Sequence, residues 1–206
     1  MTGYILDASA WLQVALIILF WLAFILRNLI TRFSYHRSPI VFGRDTKGVV
    51  RIVEFGLPVF SLVLVIETVL FAQGRSLLPE SINVVLFGNA SVVLVGLVFE
   101  ALAIGLFAMA SRQMKSSWRA GVDNQASDPL ISTGLFAFSR NPVYLAMFLF
   151  LFGAILVTGT SGIIAYAATG LGLIHFQVLQ EETALEERFG ENYDAYRAKV
   201  PRYLFL

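Results

Sequence analysis

Residues 140–179 read RNPVYLAMFLFLFGAILVTGTSGIIAYAATGLGLIHFQVL. Two apolar runs, Pro142 to Thr158 and Gly162 to Leu179, are parted only by the small polar turn Gly159-Thr-Ser-Gly162. Each approaches the ~20 residues that a helix needs to cross a hydrocarbon core, so the stretch predicts a tight antiparallel hairpin of membrane helices. At its mouth stand Arg140, Asn141 and Pro142. Asn before Pro is a helix start, with Asn141 as the cap and Pro142 in the first turn. Arg140 either snorkels to lipid headgroups or holds an anionic ligand at the membrane surface.

Upstream, three more runs have the composition of spans: Ala10 to Ile30, Val49 to Ala72 and Ile82 to Ala110. Of 206 residues, 57% are hydrophobic and 14% charged, which is too apolar for an ordinary soluble domain. The first run follows Asp7 rather than a basic segment, and it reads as a retained span. The fold expected is all-α: a polytopic membrane protein with about five transmembrane helices, a C-terminal helical hairpin and a cytoplasmic C-terminal amphipathic helix. Residues 1–206 form one integral membrane domain. Its first part, 1–110, holds three spans and a basic loop at 31–48. The second, 111–206, comprises a loop (111–139), the hairpin (140–179) and a tail (180–206).

Fifteen Lys and Arg are present, and all but Arg75 fall on the side that carries the 31–48 loop, the 111–139 loop and the tail. The positive-inside rule makes that side cytoplasmic and puts the N-terminus outside. The net charge of +1 gives no global attraction to nucleic acid. With no cysteine and two distant histidines, His36 and His175, a protein-only metal site is not expected.

In the tail, Leu185, Phe189, Tyr193, Tyr196 and Val200 recur at steps of three and four, one face of a helix that Pro201 ends. Glu186, Glu187 and Glu191 read as its solvated face. Glu181 and Glu182 differ, because they sit where the last span leaves the membrane and anionic lipids repel them. They face Arg140 across the hairpin, either as a structural ion pair or as a split site for a zwitterion. In the second reading Arg140 takes a carboxylate, and Glu181 or Glu182 takes an ammonium or ribose hydroxyls. The loop before the hairpin is irregular, and Asp128 to Phe136 has the small residues that let backbone amides approach a ligand.

Two ordered motifs carry a resemblance. LISTGLFAFSRNPVYLAM (Leu130 to Met147), followed by EETALEERFGENYDAYRAKVPRYL (Glu181 to Leu204), resembles the isoprenylcysteine carboxyl methyltransferase and phospholipid methyltransferase superfamily. The family's Arg-His-Pro-x-Tyr stands here as Arg140-Asn-Pro-Val-Tyr144. Its Glu-Glu, Phe-Gly-x-x-Tyr-x-x-Tyr and Val-Pro elements stand as Glu181-Glu182, Phe189 to Tyr196 and Val200-Pro201. Ser116 to Asp123 is similar to the segment that precedes the first motif. The likeness covers roughly the C-terminal half, which it makes the cofactor-binding catalytic half.

The resemblance implies an integral membrane enzyme that moves a methyl group from S-adenosylmethionine to a lipid or other apolar acceptor entering from the bilayer. It implies cofactor contacts from Asp128, Pro129, Leu130 and Ile131, from Phe136, from Arg140, Asn141, Pro142, Val143 and Tyr144, and from Glu181 and Glu182. Two departures stand out. Asn141 replaces the usual His. Gln177 replaces an arginine that in prenylcysteine methyltransferases faces the substrate carboxylate, and Gln lacks that bidentate charged fork.

Arg140, Glu100 and His175 are the catalytic candidates, with Gln177, His175 and Glu100 on the acceptor side. Glu100 and His175 are the groups available to take a proton from an amine or thiol. Glu100 and Glu67 are ionisable groups inside spans, marking either a cavity or an interhelical hydrogen bond. Alternatives are amine methylation of the phospholipid methyltransferase type, a nicotinamide-dependent membrane reductase, and a non-catalytic scaffold.

Overall fold

A computed structural model describes residues 2–44, 46–122 and 128–204. Asp45 of the basic loop and residues 123–127, including Asp123, lie outside the described residues. The described residues form six helices: α1 (Thr2–Ser34), α2 (Gly48–Ala72), α3 (Ala90–Gln113), α4 (Pro142–Thr158), α5 (Ser161–Phe189) and α6 (Glu191–Arg197). Single 3-10 turns lie at Lys115–Ser117 and Gly134–Ala137. No strand occurs among the described residues.

Among the described residues four helices are long and apolar enough to cross a membrane: Ala8–Ser34, Gly48–Ala72, Ala90–Gln113 and Ser161–Phe189. The expected fourth span, Pro142–Thr158, is a shorter apolar helix of 17 residues, about 25 Å at 1.5 Å per residue. The bundle turns large apolar side chains outward, Leu22, Leu26, Ile52, Val59 and Leu94 among them, as helices in contact with lipid do.

Helices α3 and α4 pack most intimately. A Cβ built on Gly96 would lie 2.7 Å from the Gly153 carbonyl oxygen, and one on Gly153 would lie 2.7 Å from that of Gly96. Only two hydrogen side chains let the backbones meet this closely. Beside this crossing Ala103, Phe150, Ala154, Ile163 and Ala167 form the core that joins α3, α4 and α5, with Ile17 and Leu64 added from α1 and α2. Nearer the basic end, Phe107, Ala110, Trp118, Val143 and Ala146 make a second core.

Two sequence expectations need correction. The third helix begins at Ala90, not Ile82, although 82–86 is apolar. The backbone of that stretch is committed elsewhere: Leu86 N donates to Gly159 O at 2.8 Å and Ser161 N to Val84 O at 2.9 Å. Asn89 then caps α3 by accepting from Ser91 N. The tail also departs from one amphipathic helix. Helix α5 runs unbroken to Phe189, and the chain turns at Gly190 (φ 50) before the short α6. The periodic face survives the break, because Tyr193, Tyr196 and Val200 still pack with Leu185, Phe189 and Leu130.

Candidate active site

The α1–α2 and α3–α4 connections and the tail after α5 lie at the basic end of the bundle, where three side-chain clusters tie them together. Glu182, on α5, receives Arg140 Nε (3.2 Å) and Nη2 (3.0 Å), Asn141 Nδ2 (2.7 Å) and Arg202 Nε (3.0 Å). Both its oxygens are occupied, and the Arg140 and Glu182 side chains are each 8% exposed. Arg140 Nη1 also donates to the Val200 carbonyl at 3.2 Å, and its backbone N to Pro201 O at 2.9 Å. The Glu182 carboxylate holds the Arg202 guanidinium above its ordinary value. Asn141 precedes α4 without a capping hydrogen bond to its side chain, contrary to expectation; its Nδ2 donates to Glu182 and to the Arg202 carbonyl. Pro142 does occupy the first turn.

The second cluster centres on Asp128. Arg37 Nη1 reaches both its oxygens at 2.7 Å, and Arg119 Nη2 lies 2.8 Å away. Its carbonyl accepts from Arg188. The third centres on Glu54, near the start of α2 and fully buried. It accepts from Gly43 N (2.8 Å), from Val122 N (2.8 Å) and from the Thr46 hydroxyl. Gly121, at φ +101, leaves room for this seal; a Cβ there would meet Phe42 at 2.9 Å and Glu54 Oε1 at 3.2 Å.

Between these clusters lie two cavities. A mixed polar cleft of about 860 Å³, open mouth included, is lined by Asp128, Pro129, Leu130, Ile131, Phe136, Arg140, Asn141, Glu181 and Glu182, together with Arg119, Phe189, Tyr193 and Tyr196. An apolar cavity of about 1040 Å³, counted likewise, runs among α1, α2, α4 and α5. Its walls include Phe20, Trp21, Leu57, Phe60, Leu64, Met147, Tyr144, Tyr166, Glu54 and Gln177.

The cavities adjoin. Gly121 lines both, and Glu181, in the wall of the polar cleft, accepts from two residues in the wall of the apolar one: the Tyr144 hydroxyl and Gln177 Nε2 (3.3 Å). Between a polar space and an oily one there stands little more than a phenol, an amide and a carboxylate.

Sequence reasoning thus selected nine residues that line the polar cleft. Pro142 and Val143 line neither cavity, since they begin α4 and pack inward, Val143 against the Phe107 and Trp118 core. Tyr144 lines the apolar cavity instead. Glu100 lies outside both cavities, fully buried between helices, where it accepts from Gln13 Nε2 at 3.0 Å. His175 projects from the exposed side of α5 and meets the Tyr203 hydroxyl at 2.9 Å. Neither residue lines the apolar cavity, where the acceptor was expected: Glu100 points at α1, and His175 stays exposed beside Tyr203. Glu67 accepts from Ser76 (2.6 Å) and Leu77 N (2.8 Å), fixing the turn beyond α2. Sequence reasoning missed Glu54, an ionisable residue within an apolar run, which the rule that flagged Glu67 and Glu100 would also flag. Arg202 and Arg37 gave no local signal.

The sequence pattern of the phospholipid methyltransferase family matches residues 91–192. Through that stretch the chain is similar to the phospholipid methyltransferase family. The region extends from α3 to the start of α6 and so includes every lining residue from Met114 to Glu182, while Glu54, Arg37 and Arg202 come from outside it. Among solved structures, the chain is similar to the eukaryotic intramembrane Ras methyltransferase, isoprenylcysteine carboxyl methyltransferase, with a TM-score of 0.51 and 20% identity. That likeness, one of fold, covers 78% of this chain and 55% of the other, so the chain spans about half the length of the structure it matches. No curated protein matches the chain. Within the matched region the polar cleft is built by the loop before α4 and by the end of α5, whereas α1 and α2, outside it, complete the apolar cavity.

Proposed function

We propose that this protein is an integral membrane methyltransferase that takes a methyl group from S-adenosylmethionine and places it on an apolar acceptor. The observation that carries this reading is the contact of the two cavities at Tyr144, Gln177 and Glu181. One cavity suits a charged, water-soluble donor and the other an oily molecule, and only a thin polar partition parts them.

The residues of the polar cleft fit S-adenosylmethionine. Its amino-acid end is a zwitterion, and the cleft offers Arg140, just before α4, and Glu181, on α5. Glu182 is saturated by three neighbours, which leaves Glu181 as the carboxylate for the ammonium. Two guanidinium groups around the single charge of Glu182 leave a net positive field at Arg140 for the donor's carboxylate. The Tyr193 hydroxyl, in the cleft wall, is buried without a partner among the described residues and is free to meet a ribose or a base. The backbone of Asp128 to Ile131 and the ring of Phe136 flank that position.

When bound, S-adenosylmethionine supplies a methyl group on a positively charged sulfur, open to in-line displacement. The work of the protein is then to hold, orient and dry. Fixing both partners in register supplies up to ~7–11 kcal/mol in favourable systems. The apolar walls given by Phe20, Leu57 and Phe60 keep bulk water from the acceptor. The preponderance of Lys and Arg at this end of the bundle supports a polar cleft on the cytoplasmic side, with the N-terminus outside. The acceptor enters from the bilayer.

The test is calorimetric. Purified protein should bind S-adenosylmethionine and not NADPH, and native membranes given methyl-labelled donor should yield a labelled lipid-soluble product. Binding of NADPH alone, or of neither, would overturn the reading.

A further inference from the structure

Gln177 is 3% exposed, lines the apolar cavity, and has one amide atom, Oε1, without a partner among the described residues. Its orientation follows from its neighbour. The other amide atom lies 3.3 Å from Glu181 Oε1, and a carboxylate oxygen accepts, so that atom is the NH2 and the carbonyl faces away. A buried amide oxygen with nothing to accept from costs more than any single bond usually contributes, so a ligand that satisfies it is favoured.

The rest of the cavity narrows what that ligand is. Three hydroxyls line it, and each already donates: Tyr144 to Glu181, Tyr166 to the Phe60 carbonyl and Ser61 to the Pro58 carbonyl. Among the described lining residues there is no Lys, Arg or His, and the one carboxylate, Glu54, is filled by three donors of its own. A carboxylate head would therefore meet a carbonyl and the Glu181 carboxylate with no cation to answer it. A head that offers an O–H or N–H meets an acceptor waiting for it.

We propose that Gln177 selects the apolar acceptor by its head, accepting a hydrogen bond at Oε1 from an alcohol or amine and rejecting a carboxylate. The proposal rests on the methyltransferase reading for why a molecule enters the cavity, but the selection is a property of binding and is read without turnover. The head so held lies on the far side of the Gln177 amide from Glu181, which the NH2 meets.

The experiment uses the full chain in nanodiscs of phosphatidylcholine, a lipid whose head has no N–H or O–H donor. Chain-brominated hexadecanol, hexadecylamine, hexadecyl methyl ether and palmitate are titrated in, with quenching of Trp21 in the cavity wall as the readout and Trp21→Phe as the background. The alcohol should bind on the order of tenfold more tightly than its methyl ether, which differs by the donor alone. The amine should share that preference, and the alcohol, being uncharged, separates the hydrogen bond from any attraction to carboxylates. In Gln177→Leu the alcohol and ether should bind alike. An ether that equals the alcohol in the unaltered protein, palmitate as the tightest ligand, or a preference that persists in Gln177→Leu would each overturn the proposal. The first two comparisons need no variant to fold. Loss of the methyltransferase reading would appear separately, as no calorimetric binding of S-adenosylmethionine.

Discussion

Tyr144 on α4 donates its hydroxyl to Glu181 on α5, and through that bond the apolar cavity touches the polar cleft. The next residue along α5, Glu182, faces a different set of partners altogether. Two adjacent carboxylates of one helix therefore have separable duties.

Glu181→Ala should weaken S-adenosylmethionine binding on the order of tenfold and lower thermal stability in detergent only by the two hydrogen bonds it accepts from Tyr144 and Gln177. Glu182→Ala should do the reverse first: it strands a buried Arg140 and Asn141, and losing one member of a buried pair costs about 3–5 kcal/mol. Thermal scans beside calorimetry check the contrast. Equal melting temperatures in the two variants would contradict it.

Gly96→Ala and Gly153→Ala should each destabilise the bundle, because a methyl group at either site enters the opposing backbone at 2.7 Å. Gly105→Ala is the control. Nothing lies within 4 Å of its Cβ, and an exposed helix position gains about 0.5–1 kcal/mol when Gly becomes Ala. Thermal unfolding in one detergent should rank Gly105→Ala at or above the unaltered protein and the other two below it.

Glu54→Ala should free the two loops that Glu54 joins. Each buried donor left without its acceptor costs about 1–3 kcal/mol. Hydrogen exchange at the amides of Gly43 and Val122 should accelerate by about tenfold or more, while amides within α3 and α4 keep their protection. Unchanged exchange at both amides would show that the carboxylate does not hold them.

Burial pushes the Tyr196 phenol from 10.0 up to about 12; the Arg140 guanidinium pulls it down more weakly and the Glu182 carboxylate pushes it up. The hydroxyl donates to the Phe136 carbonyl at 2.6 Å. Because the folded state holds this proton more tightly than the unfolded one, the stability it gives is complete below pH 10 and is lost as pH rises through about 12. Alkaline titration followed at the tyrosinate absorbance, with stability measured in parallel, should show that loss in the unaltered protein and not in Tyr196→Phe.

Much of this was legible in the sequence for definite reasons. The α4–α5 hairpin follows from two apolar runs around a four-residue turn, and the tail's aromatic face from a period of three to four that the turn at Gly190 does not destroy. Arg140 and Glu182 could be paired because a hairpin brings its two ends together. Hydropathy misread 82–89, since it records how oily a segment is and not where its amides find partners. Position in a span suggested a chemical task for Glu100, but the direction of its side chain depends on α1, whose Gln13 lies 87 residues away. Arg202 and Glu54 answer to contacts of the same long range, for which a chain read in order holds no mark.

The three donors of Glu54 also set a sequence of events in assembly. Gly43 and Thr46 leave the ribosome before Glu54 does, but Val122 follows 68 residues later, after a whole further helix. For that interval the first hairpin waits in the bilayer with one oxygen of its carboxylate unanswered, so its final closure belongs to the arrival of α3 and not to its own insertion.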